Sequence, residues 1–175
     1  GVAVIVETQT VNLAGFNLAA TGLVVEADGM LAGYGSVSAP VSGSGSIELV
    51  DGNMSLGDLN DPSGFDFDGT LKINGHATVL LDANVAKLGA VTDLASGGTL
   101  DAANGMELAS GRSLVGSGTV HGDLVHQGTI TIAENQTVVI RGNLSGSGLT
   151  DGAGTLVVTA TYTPGNSPAV IEFGG

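Results

Sequence analysis

The sequence predicts an all-β chain wound as a right-handed parallel β-solenoid of about seven coils. Three observations carry this expectation: glycines spaced too densely for long helices, a short triplet that keeps returning, and a longer internal repeat. Glycine makes up 30 of the 175 residues, against a usual ~7%. An interior glycine costs a helix about 1 kcal/mol. Only Val2–Ala14, His76–Leu88 and Thr129–Arg141 run 13 residues without one.

Two of these windows read as strands. Val2–Ala14 and Thr129–Arg141 are rich in Val, Ile and Thr and alternate, with Ile130 and Ile132 set against Thr129 and Thr131. The middle window has less alternation, and Ala77–Leu88 reads as a short helix. The recurring triplet is Gly, then Ser or Thr, then an aliphatic residue. It begins at Gly35, Gly45, Gly69, Gly98, Gly118, Gly128 and Gly154. Glycine suits a corner, the hydroxyl suits the solvent side, and the aliphatic residue suits a core.

Residues 19–49 and 102–132 align without a gap at an offset of 83, pairing Gly33 with Gly116, Gly35 with Gly118, Val41 with Leu124 and Ile47 with Ile130. Leu-x-Gly-x-Gly returns at Leu144–Gly148. At roughly 20–25 residues per coil and ~4.8 Å between coils, the chain makes one domain, 1–175, and a rod about 35 Å long. The competing architecture is an antiparallel β-sandwich. Its hairpin dipeptides are present at Asp28-Gly29, Asp51-Gly52, Asn74-Gly75 and Asn104-Gly105, but it offers no reason for the 83-residue repeat.

Composition narrows function by exclusion. Four Lys+Arg stand against 17 Asp+Glu, a formal charge of −13. Such a surface repels phosphate backbones and anionic headgroups, so no nucleic-acid partner is expected. There is no Cys, and no apolar run approaches the ~20 residues of a membrane-spanning helix. The opening Val2–Val6 lacks the basic flank of a signal peptide, and the chain reads as a mature or excised portion.

The run Leu114–Ile130 (LVGSGTVHGDLVHQGTI), followed by Tyr162-Thr-Pro-Gly-Asn-Ser-Pro168, resembles the repeats of autotransporter passenger and filamentous-haemagglutinin-like proteins. In that family an "LsGsGtv" coil is followed by a "PGNSPG" corner. Ala169 departs from the last glycine. The resemblance covers 98–173, extends to 19–49 through the internal repeat, and fails over 50–97. It implies a right-handed β-helix that is secreted to a bacterial surface and serves adhesion or biofilm structure. It implies no particular ligand.

No enzyme site is expected. The chain lacks a G-x-S-x-G elbow. Its whole basic inventory, Lys72, Lys87, Arg112 and Arg141, is scattered, where cleavage of an acidic polysaccharide needs clustered charges. His121 and His126 lie five apart with no third ligand nearby and read as solvent-facing. The Thr-x-Thr pairs are too irregular for an ice-binding plane. No cofactor is required, and calcium is the one candidate ion: Asp58, Asp61, Asp66 and Asp68, with Asn60, could offer oxygen ligands. The competing reading of that segment is a solvated loop leading into a strand, with Phe65 and Phe67 turned inward.

The expectation that follows is a non-enzymatic extracellular structural or adhesive protein, a rigid surface rod or a self-assembling filament subunit. Its partners would be copies of itself, the rest of a longer surface protein, or host or matrix glycans. The second expectation is a glycan-binding or polysaccharide-degrading β-helix module.

Overall fold

Strand pairing in the computed structural model, which describes residues 2–61 and 63–165, is parallel throughout apart from one isolated bridge between Ala39 and Gly57. The antiparallel sandwich is thereby excluded. The strands run from Val4–Val6 to Tyr162–Pro164, and the described residues contain no helix. They stack into a right-handed parallel solenoid of about eight turns, one more than the sequence predicts.

Each turn has three faces. The first is a nine-stranded sheet from Val4–Val6 to Tyr162–Pro164. Along it Leu23 pairs with Val41, 18 residues on, and Val41 pairs with Phe65, 24 residues on. The second face begins at Thr10–Asn12 and the third at Asn17–Ala19. These two share one bent sheet, since Val91–Asp101 and Ser113–His121 each run continuously from the second face onto the third. Ser96 and Gly97, both at positive φ, bend the longer of these strands.

This geometry accounts for the triplet and its irregular spacing. Gly45, Gly69 and Gly128 open strands of the second face, whereas Gly35, Gly98, Gly118 and Gly154 lead onto the third. Val37, Ile47, Leu71, Leu100, Val120 and Ile130 are all buried, as the triplet requires, and Leu156 is half-buried. The corners need glycine because successive coils nearly touch there. A Cβ on Gly69 would lie 2.0 Å from the Gly45 carbonyl oxygen, and one on Gly118 would lie 2.2 Å from that of Gly98.

The offset of 83 corresponds to four coils. It carries Leu23–Val25 onto Met106–Leu108, Gly35–Ser38 onto Gly118–His121, and Val41–Gly43 onto Leu124–His126. The hairpin dipeptides turn corners instead of closing hairpins, with Gly52, Gly75 and Gly105 at positive φ. A turn residue reports a local bend, and the bend serves either architecture.

Ala77–Leu88 is not a helix. It holds the strands Thr78–Asp82 and Ala86–Lys87, with Val79 and Leu81 buried and Leu80 outward at 37% exposure. The outward leucine hides the two-residue period. A twelve-residue helix would be marginal alone and would leave a gap in the ladder that joins Met54, Val79 and Leu100.

Inward residues form columns along the axis. On the second face Val11, Leu31, Ile47, Leu71, Thr92, Leu114 and Ile130 succeed one another. On the first, Phe67 is in register with Gly43, and its ring lies against the corner glycines Gly69 and Gly89, where a Cβ would come within 2.6 and 3.3 Å of it. Arg112 ties one corner across three coils: its guanidinium donates to the carbonyls of Phe67 (2.9 Å) and Leu88 and pairs with Asp68.

Thr92 is the exception in its column. It is fully buried and its hydroxyl has no partner. Thr92→Val is near-isosteric and removes that stranded group, so stability should rise by about 1 kcal/mol, read as a higher midpoint in denaturant melts. Gly69→Ala should instead cost about 3 kcal/mol by overpacking the corner, read the same way.

Candidate functional site

In-register stacking places outward residues of successive coils side by side, so the solenoid's surface is organised in rows. On the first face Lys87 stands between Asp66 and Glu107 in register, with its Nζ 2.8 Å from Asp66 Oδ2. That hydrogen bond and the Asp66 charge raise the Lys87 pKa, with a smaller contribution from Glu107. On the second face Lys72 stands between Glu48 and Asp93, 3.3 Å from Glu48 Oε1, and Asn74 donates to the same carboxylate at 2.8 Å. On the third, His121 lies in register between Asp101 and Arg141.

The four basic residues, scattered in sequence, are therefore each set beside acidic or titratable neighbours. Lys72, Lys87 and Arg112 are held in ion pairs. No positive patch forms among the described residues, and the remaining carboxylates carry the net charge outward.

At the corner leading into the first face, polar side chains cross-link successive coils. Asn104 Nδ2 donates to the Ala83 carbonyl at 3.2 Å, Asn143 donates its backbone N–H (2.8 Å) and side-chain amide (3.1 Å) to Asp123, and Thr161 N–H donates to Asn143 Oδ1 at 3.2 Å. The Asn143 backbone bond, then its amide, holds the Asp123 carboxyl below its ordinary range.

The predicted calcium ligands divide between two settings. Asp58 accepts from the Asn60 backbone (2.9 Å) and amide (3.0 Å), and Asp61 accepts from Ser63 N–H (2.8 Å), which makes both of them turn-formers. Asp66 and Asp68 leave the loop and are engaged by Lys87 and Arg112. Among the described residues no three His, Asp or Glu side chains converge on one point. Phe65 and Phe67 point inward, as the alternation predicts. A shallow depression of about 370 Å³ beside this loop is lined by Ser38, Gly57, Asp58, Leu59, Asn60 and Asp82. Asp82 already accepts the Ser55 hydroxyl.

The histidines also separate. His76 is exposed and His121 half-buried on an outer row. His126 is not the solvent-facing residue its glycine-rich surroundings suggest. It is 4% exposed, in the inward row where other coils place Val25, Phe67, Leu88 and Leu108, and its Nε2 has no partner. Burial pushes its pKa down, which the backbones of Leu149 and Gly128 offset in part. Parity alone reveals this placement: with Leu124 inward and Val125 outward, His126 turns in. The Thr129-x-Thr131 pair is flanked in register by Ser113 and Val115 on one side and Leu149 and Asp151 on the other, so no threonine plane extends from it. Of the family-like segment, Tyr162–Pro164 forms a strand, while residues 166–173 lie outside the described residues.

Asn143→Ala removes the side-chain amide but keeps the backbone donor, so the Asp123 pKa should rise only part of the way toward the ordinary carboxylate value in a carboxyl NMR titration. Because the native value is lowered, the stabilisation it reports is present above the unfolded value of ~3.9 and is lost as pH falls through the folded one. Lys87 has the opposite sign: its raised value stabilises below pH 10.5 and fades as pH climbs past it.

No helix among the described residues is long and apolar enough to cross a membrane. No protein-family model, curated protein or solved structure matches the chain.

Proposed function

We propose that the chain is a rigid, non-enzymatic rod segment of an extracellular structural or adhesive protein, secreted to a bacterial surface. The observation that supports this reading most is the outer surface itself. Three ladders run from the first described coil to the last, Lys72, Lys87 and Arg112 are tied into ion pairs on a net-negative surface, and the depression beside Asp58 is shallow and already hydrogen-bonded. Catalysis on a polysaccharide needs preorganised charge aimed into a cleft, and these rows hold their charges against one another. A stack of parallel strands resists bending and keeps its backbone paired, which suits a spacer or fibre. Open strand edges on such a stack favour pairing with further strands, so self-association and continuation within a longer surface protein are both partners of the right chemistry.

A glycan-binding module is the second reading, and one observation favours it. Phe16 (74% exposed) and Tyr34 (50%) sit on adjacent coils at the corner between the second and third faces, where the Tyr34 ring packs against Gly15. Aromatic faces of this kind are platforms for sugar rings.

Negative-stain electron microscopy of the purified chain, with calcium and with chelator, tests the first reading. Fibres of uniform width are the expected result, and their loss in chelator would show that calcium joins the copies. Discrete short rods in both conditions would remove the filament reading. Glycan-array binding abolished by Tyr34→Ala, with the thermal melt unchanged, would move the conclusion to the second reading.

A further inference from the structure

His126 occupies a core position with no partner for its ring nitrogen. Its column neighbour on one side is Leu108. On the other side the chain answers with glycine: Cβ atoms on Gly146 and Gly148 would lie 2.1 Å from the His126 carbonyl oxygen and 2.5 Å from ring atoms Cδ2 and Nε2. The ring is thus sealed by the backbone of the following coil, as the Phe67 ring is met by Gly89 of the coil after it. Gly128 O already accepts from Leu149 N and the His126 carbonyl from Gly148 N, each at 2.9 Å, and the backbones of Leu149 and Gly128 offset the cost of a charged ring only in part.

The charged groups on the packed elements face elsewhere. Glu107 is outward on the preceding coil, Asp123 is held by Asn143, and Arg112 is held by Asp68 and two carbonyls. The strand Leu144–Gly146 carries no titratable group, and neither do Gly128, Gly148 and Leu149. A proton on the ring would therefore have neither solvent nor a counter-charge beside it.

We propose that His126 is an acid-sensitive latch: in weakly acidic solution its protonation opens the coil that covers it, residues 142–158. Solenoid coils are held chiefly by their immediate neighbours, and this coil is held less deeply than those in the middle of the stack, since Leu156 and Val158 are only half-buried. The sign follows from burial. The folded ring resists protonation while the opened ring titrates near the ordinary 6.5. Stability of the latch is complete above that value, falls as pH drops through it, and levels off below the folded pKa.

The test is amide hydrogen exchange at pH 7.5, 6.5 and 5.5, expressed as protection factors corrected for intrinsic exchange, beside an NMR titration of the three imidazoles. In the wild type, protection of Leu144–Val158 should fall by up to about tenfold per pH unit, the slope of one proton taken up on opening. Protection of Ile47–Leu49, several coils away from the latch, should hold. His126→Leu, matching Leu88 and Leu108 in the same row, should remove the pH dependence, and His121→Gln should leave it intact. Should the leucine variant fail to fold, the wild-type titration decides. A His126 ring that titrates together with His76 and His121 while protection stays constant would overturn the latch, as would an equal loss of protection in every coil.

Discussion

Everything in this molecule depends on coils that lie one strand spacing apart all the way round, corners included. Within a face, that spacing is what parallel backbone hydrogen bonds demand. At a corner the chain must turn without lifting away, and there the carbonyl of one coil presses on the α-carbon of the next. Gly45, Gly69 and Gly89 follow one another at such a corner, Gly69 meeting the carbonyl of Gly45 and Gly89 that of Gly69. The abundance of glycine is thus a consequence of stacking, and the short triplet is its trace in the sequence.

The same constraint writes the surface. Side chains at one register position become neighbours whatever their separation along the chain, so like charges must be kept apart between one coil and the next. Glu48, Lys72 and Asp93 obey this, as do Asp66, Lys87 and Glu107. Exposed pairs of this kind stabilise little individually. Their larger effect is to hold the few basic side chains between carboxylates, leaving a surface built of hydroxyls, amides and spaced negative charge.

How far the sequence discloses the fold depends on which residues carry the message. Where glycine, hydroxyl and aliphatic residue fall in order, as at Gly128-Thr129-Ile130, strand, corner and burial can all be read. Where an aliphatic side chain points outward, as at Leu80, alternation disappears and a strand resembles a helix. The acidic segment shows a different limit. Proximity in sequence suggests that Asp58 and Asp66 act together, but the corner sends one into a turn and the other to Lys87 in the next coil. Partners that come from adjacent coils, such as Asn143 for Asp123, are invisible until the register is known. His126 is legible by parity from Leu124 and obscured by the glycines around it.

The coil between Val41 and Phe65 is longer than its neighbours because a loop is inserted after Gly57, yet both registers it joins are kept. Gly57 still meets Asp82, and the Gly64 carbonyl still receives the Val41 N–H at 3.1 Å. Chain length at this corner is consequently decoupled from the ladders. A lineage could lengthen, shorten or replace the segment, and even graft a recognition loop there, while the scaffold beneath stayed unaltered.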